Sequence, residues 1–340
     1  MREPPFWWRD PGMEALALAP LAAIYGALAG RRISREGWHA GVPVVCVGNP
    51  IVGGAGKTPL VLAIGEMLRA QGQAFAFLSR GYGGQQSGPC QVDPARHRAI
   101  EVGDEPRLLA RVAPTIVARD RIMGAAAATA GGACVIVMDD GFQSPSLHKD
   151  FSILVIDARR GLGNGHVIPA GPLRAPLDAQ LDHADALVLV GKSSGELSIV
   201  AVARKRRLPV FTASLVPDPT FVSELGSSRV LAFAGIGDPE KFFGTLGDAG
   251  VSVVRTRSFA DHHRYSRAEA RRLCEHADRE KLVLVTTEKD MARIEQDEQA
   301  TELADRARAL PVRLEFEDEA RFRALLLERI AHAQGGPSSA

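Results

Sequence analysis

Lys57 and Thr58 stand directly behind Gly53-Gly54-Ala55-Gly56, and an apolar run at residues 44–47 precedes them. A strand, a glycine-rich turn, Lys-Thr and then a helix is an arrangement that cradles nucleotide phosphates. Glycines let backbone N–H groups approach an anion closely because no Cβ intervenes. A helix N-terminus adds about half a positive charge at the same place. On this reading Ile51, Val52, Gly53, Gly54, Ala55, Gly56, Lys57 and Thr58 line the phosphates of ATP. Lys57 would reach the β- and γ-phosphates, and the Thr58 hydroxyl would bind Mg2+. The full pattern asks for glycine where Ile51 stands. The competing reading is a glycine-rich turn with an incidental Lys-Thr.

Further candidates lie at the ends of other apolar runs. The run at 134–138 ends in Asp139-Asp140-Gly141-Phe142-Gln143. A carboxylate at the C-terminal end of a parallel strand, beside a phosphate loop, is where a Mg2+-binding Asp belongs. Asp157, after the run at 151–156, is a rival, read as the cap of the next turn. Arg80 and Tyr82 sit in a glycine-rich segment after the run at 75–78, open to reading as a site loop or a plain turn. Asp104 precedes a helical stretch at 107–111, where spacing alone suggests a cap. Arg174 lies in a Gly/Pro-rich stretch, 162–176, expected as a shaped surface loop in which it clamps a phosphate or is merely solvated. Asp261-His262-His263 invites a metal reading, but adjacent side chains of an extended segment point to opposite faces. Proton transfer, or simple exposure, suits His262 better.

These residues need a scaffold. Strands are expected at 44–47, 75–78, 115–118, 134–138, 151–156 and 186–190, with helices between, including 59–71. That alternation implies a mostly parallel sheet with helices on both faces. Residues 209–215 are extended, and Pro217 and Pro219 break the chain. A second α/β unit follows, with strands at 230–234, 251–255, 282–286 and 312–316 and helices at 239–249, 267–278 and 320–332. The expected organisation is an N-terminal helix (1–36), a core (37–208), a ribbon or linker (209–228), a C-terminal α/β domain (229–334) and a disordered tail (335–340).

The chain has 340 residues, with 41 Lys and Arg against 40 Asp and Glu. A formal net charge of +1 gives no basic field to attract nucleic acid. Four scattered cysteines form no C-x-x-C pair, so neither a disulfide framework nor a zinc site follows. Cys46 and Cys134 read as small core residues. Near the N-terminus, Phe6-Trp7-Trp8 and Asp10-Pro11 precede an uncharged stretch at 15–30 that ends at Arg31-Arg32. Its rise of ~24 Å falls short of a hydrocarbon core of ~30 Å, and Pro20 interrupts it. A helix lying in the membrane interface fits this composition. A buried core helix and a signal peptide are the alternatives.

Taken in order, VGNPIVGGAGKTP, SRGYGG, GDEPRLLA, DDGFQ, NGHVIPAGPLRAP, AFAGIGDPEKFF, FADHHRYS and TTEKDMAR resemble the tetraacyldisaccharide 4'-kinases of lipid A synthesis. The resemblance spans nearly the whole chain. It implies a P-loop core, a smaller C-terminal α/β domain joined by a two-stranded ribbon, and an N-terminal helix at the cytoplasmic face of the bacterial inner membrane. It implies transfer of the γ-phosphoryl of ATP, with Mg2+, to the 4'-hydroxyl of a tetra-acylated glucosamine disaccharide 1-phosphate. It also implies that Asp104 of GDEP and His262 of the DH motif accept the hydroxyl proton together. Arg80, Tyr82, Arg121, Gln143 and Arg174 become candidates for phosphate, sugar or nucleotide contacts. Ala175 stands where the family's GPLREP loop carries Glu, and His263 follows the DH pair. The lipid and a membrane surface are the expected partners, with no nucleic acid and no obligatory protein. The alternative function is a membrane-associated P-loop ATPase switch without a lipid acceptor. Such switches often carry a lysine where Val52 stands.

Overall fold

The computed structural model describes residues 3–192, 195 and 197–335. Thirteen strands form two sheets among the described residues. They are β1 (Val44–Gly48), β2 (Phe75–Ser79), β3 (Cys90–Gln91), β4 (Thr115–Val117), β5 (Val135–Asp139), β6 (Phe151–Asp157), β7 (Ala186–Val190), β8 (Val210–Pro217), β9 (Arg229–Ala234), β10 (Ser252–Ser258), β11 (Val283–Thr287), β12 (Arg308–Leu310) and β13 (Val312–Phe316). The larger sheet runs β13-β8-β7-β6-β1-β5-β2-β4-β3. All its pairs are parallel except the two edges, β13 on β8 and β3 on β4. β1, β5 and β6 are buried at every position, as expected for strands covered by helices on both faces. One apolar core lies on each face. β1 sits between β5 and β6, so the loops leaving all three meet at one edge, the crevice where open α/β sheets bind ligands.

The smaller sheet, β10-β9-β11-β12, is parallel throughout. Two segments expected in residues 229–334 leave it. β13 pairs antiparallel with β8 in the larger sheet, and the final helix, Glu319–Gly335, buries Phe322, Leu326 and Ile330 in that sheet's core. β8 in turn pairs with β7, so residues expected in a linker complete the larger sheet. Strand periodicity could not reveal this, because it says nothing about which sheet a strand joins. Of the expected tail, Gly335 closes the final helix and 336–340 lie outside the described residues.

Other expectations also shift. Cys134 is exposed, because β5 begins one residue later. The stretch 162–176 is folded inward, with Ala170, Leu173 and Ala175 buried and Leu173 bridging Ile51 and Val167. Its apolar residues outweigh its glycines and prolines.

Helix α1 (Met13–Ile33) starts after Gly12, so Asp10 is not its cap, and it continues through Pro20. Its 21 residues rise about 31 Å, longer than expected and enough in length and composition to cross a membrane. Ala15, Ala22, Gly26 and Ile33 form a buried stripe. Gly26 and Gly30 face Val167, Pro176 and Ala179. The other side leaves Leu16, Leu21, Ile24 and Leu28 each about 60% exposed, against the core-helix alternative. The helix is thus seated on the protein along one side and exposes an apolar face on the other.

Candidate active site

The turn after β1 leads into helix α2 (Lys57–Ala70), with Gly53 and Gly56 at φ 102° and 90°, conformations that side chains rarely tolerate. Among the described residues, no backbone oxygen engages the amides of Gly53, Gly54, Ala55 or Gly56. Two expected positions behave differently. The Val52 N–H donates to Pro172 O at 2.9 Å, and the Ile51 side chain is buried. The amides left for an anion therefore begin at Gly53. Asn49, not singled out in the sequence, braces the turn: its Nδ2 donates to Gly53 O at 3.0 Å and its Oδ1 accepts from Lys57 Nζ at 3.1 Å.

The two aspartates after β5 have different environments. Asp140, at φ 51°, accepts from Arg174 at 2.9 and 3.3 Å and lies 3.8 Å from Lys57 Nζ. Burial would raise its pKa, but Lys57 and Arg174 hold it below the ordinary carboxylate value. Asp139 is buried, and neither of its carboxylate oxygens has a hydrogen-bond partner. Burial, then the charges of Glu105 and Asp140, push it up to about 7. An orphaned buried carboxylate beside a phosphate loop fits a hard divalent cation. Among the described residues no three His, Cys, Asp or Glu side chains converge on a point. That suits Mg2+, which keeps waters and phosphate oxygens as ligands. Asp157 serves both as cap and as ion-pair partner, accepting from Arg159 N–H and pairing with Lys241 at 2.6 Å.

Asp104 is not a cap. Gly103, at φ 94°, caps the helix Asp104–Ala110, and Asp104 is its first residue, turned inward and buried. Its Oδ2 lies 3.3 Å from His262 Nδ1 and accepts from Arg293 at 2.5 and 2.9 Å. Burial favours the protonated acid. The hydrogen bond with His262 and the charges of Arg293 and Lys289 outweigh it and hold Asp104 well below the usual carboxylate range. The same hydrogen bond raises His262. His263 points elsewhere, to Glu269 at 3.2 Å and onto Phe259, so His262 is the imidazole that faces Asp104. The Tyr82 ring, 67% exposed, lies 5.1 Å from that of His262. Both line a 220 Å³ cavity with Asp104, Arg98, Arg264 and Arg293.

The remaining candidates separate by position. Arg80 is exposed at the end of β2. Arg121 is buried behind the acidic strand end, donating through Nη2 to Asp139 O at 3.3 Å, while its Nη1 has no hydrogen-bond partner. Gln143 spends its amide on Asn49 O, Gln180 and Arg174, supporting the phosphate loop from behind. Sequence reading passed over Glu105, which reaches Thr58 Oγ1 at 3.4 Å and Lys289 Nζ at 2.5 Å. The TTEKDMAR stretch forms the helix Glu288–Ile294, whose Lys289 and Arg293 were not among the candidates. A signal was present: Thr287 caps that helix by accepting from Asp290 N–H, and Thr-x-x-Asp is a helix-start pattern.

A parallel sheet with this glycine loop, Lys-Thr and an acidic strand end defines a P-loop nucleotide-binding protein, and the Asp104–His262 pair lines a cavity of the same molecule. A family model described as tetraacyldisaccharide-1-P 4'-kinase matches residues 14–331, and the chain belongs to that family. Relatives named tetraacyldisaccharide 4'-kinase include one from Bradyrhizobium diazoefficiens, 52% identical over 98% of both chains. One from Nitrobacter winogradskyi is 51% identical over 97% of this chain and 98% of its own. Among solved structures, LpxK from Aquifex aeolicus, described as an "apo" form in complex with ATP, superposes with a TM-score of 0.72 at 27% identity. It covers 94% of this chain and 100% of its own.

Proposed function

We infer that this chain is an ATP-dependent lipid kinase of lipid A biosynthesis, moving the γ-phosphoryl group of ATP to the 4'-hydroxyl of a tetraacyldisaccharide 1-phosphate. The observation that carries the reading is the Asp104–His262 contact beside the phosphate loop, in a chain of this family. The free amides from Gly53 onward and Lys57 hold the terminal phosphates. Thr58 and Asp139, with Asp140 beside them, would hold Mg2+, which when bound would supply positive charge to offset that developing on the phosphate oxygens. The acceptor oxygen bonds to the γ-phosphorus, the bond to the bridging oxygen of ADP breaks, and the hydroxyl proton passes to Asp104, steered by His262. Tyr82 presents an apolar ring to the sugar, and Arg80 an exposed cation. Arg174 acts through Asp140 and the Ile51 carbonyl, to which its Nε donates at 3.0 Å.

The exposed apolar face of α1 supports a seat on the membrane that holds the acceptor, and the need for ATP supports the cytoplasmic face of the bacterial inner membrane. The match to the tetraacyldisaccharide 4'-kinase family over residues 14–331 favours this reading over a lipid-independent ATPase switch, which could use the same pair on water. Incubating the purified protein with γ-labelled ATP, Mg2+ and the lipid in detergent should move label to lipid. Phosphate release unchanged by adding lipid would favour the switch.

A further inference from the structure

The segment Thr286–Arg293 has no part in the chemistry just described, yet its charges reach the centre of the site. Arg293 is only 7% exposed in its side chain and sits one helical turn beyond Asp290. Three of its donors point in fixed directions. Nε and Nη2 donate to Asp104 Oδ2 at 2.9 and 2.5 Å, and Nη1 donates to Gly235 O at 2.7 Å. That same carbonyl accepts the backbone N–H of His262 at 3.0 Å. One guanidinium therefore holds the carboxylate of the pair and, through a shared acceptor, the backbone of its imidazole partner.

The guanidinium is itself held. Asp290, fully buried, accepts from Arg293 at 2.8 Å, Tyr265 Oη at 2.8 Å, Gly235 N–H at 3.0 Å and Thr287 Oγ1 at 2.6 Å. A buried carboxylate that is fully hydrogen-bonded on all sides is rigid, and a buried charge is tolerable only when so partnered. Asp104 comes from the larger sheet's side of the molecule, whereas Gly235, His262, Asp290 and Arg293 come from the smaller sheet's. The planar fork of arginine suits such multi-acceptor geometry in a way that a single ammonium does not.

We propose that Arg293 is the positioning residue of the Asp104–His262 pair, fixed in place by buried Asp290, and that it aligns the two residues across the junction between the sheets. The proposal rests on the reading of Asp104 and His262 as the proton-accepting pair. A residue that acts only by aligning that pair has nothing left to contribute once the carboxylate it holds is gone.

The test is a double-mutant cycle on the full chain. Arg293→Met should lower kcat about 100-fold while KM for Mg-ATP stays within threefold, and Arg293→Lys should recover at least a tenth of the parent rate. In an Asp104→Ala background, Arg293→Met should cost less than threefold. Arg293→Gln, shorter and neutral but keeping an amide NH2, runs in parallel in case the Met variant does not give a cooperative thermal transition. The proposal is overturned if the folded Met or Gln variant keeps kcat within threefold of the parent. It is equally overturned if the loss is as large in the Asp104→Ala background as in the parent. If His262→Ala alone turns over at the parent rate, the underlying pair fails, and that result is distinct from either outcome at Arg293.

Discussion

Replacing Asp139 by asparagine isolates the most strained electrostatic feature of the site. The carboxyl is held near about 7 in place of its ordinary 3.8, chiefly by burial. A folded-state pKa above the unfolded one means that the acid form favours folding. The contribution is complete below about pH 4 and is lost as pH rises through 7. At about 1.4 kcal/mol per pH unit, the loss between pH 5 and pH 8.5 comes to about 3 kcal/mol. Asparagine does not titrate, and every other group is shared by the two proteins. The thermal midpoint of the parent, without nucleotide or Mg2+, should therefore fall relative to Asp139→Asn over that range by roughly 4–8 °C. Thermal unfolding in detergent at pH 5, 7 and 8.5 measures this directly. Adding Mg-ATP should then stabilise the parent and leave the variant nearly unmoved, because a site that binds only the folded state raises its stability. Parallel pH profiles for parent and variant would refute the argument that Asp139 is an uncompensated buried acid.

Two other substitutions probe neighbouring parts. Arg174→Met removes the cation that ties Asp140 to the Ile51 carbonyl; KM for Mg-ATP should rise about tenfold, and an unchanged KM would show that the loop holds its shape unaided. Ile24→Glu with Leu28→Glu charges the exposed side of α1. Each buried aliphatic side chain is worth about 1.5–3 kcal/mol, so co-flotation with phospholipid vesicles should largely disappear, and full retention would show that other surfaces bind the bilayer.

The parts of the site written in contiguous residues were legible. An apolar strand feeding glycines and Lys-Thr announces its local geometry, and so does an apolar strand ending in Asp139-Asp140. The parts assembled across the fold were not. Asp104 and Arg293 are 189 positions apart, and no local pattern links them. Spacing gave Asp104 the role of a cap, which Gly103 in fact fills; only the family resemblance paired it with His262. β13 and the final helix were recognised as elements but placed with the wrong sheet, because periodicity encodes a buried face and not the face it meets. For Arg121 and Gln143, candidates for phosphate, sugar or nucleotide contacts, sequence alone does not show the protein contacts they make to Asp139 O and Asn49 O.

The central claim is that Asp104, held against His262, takes the proton of the acceptor hydroxyl. Single-turnover phosphorylation of the lipid by Asp104→Asn, with nucleotide affinity measured alongside, tests it most directly. The expected result is a rate lower by about 10²–10⁴-fold, the range for a positioned general base, with nucleotide affinity within threefold of the parent. A rate within threefold of the parent would contradict the account.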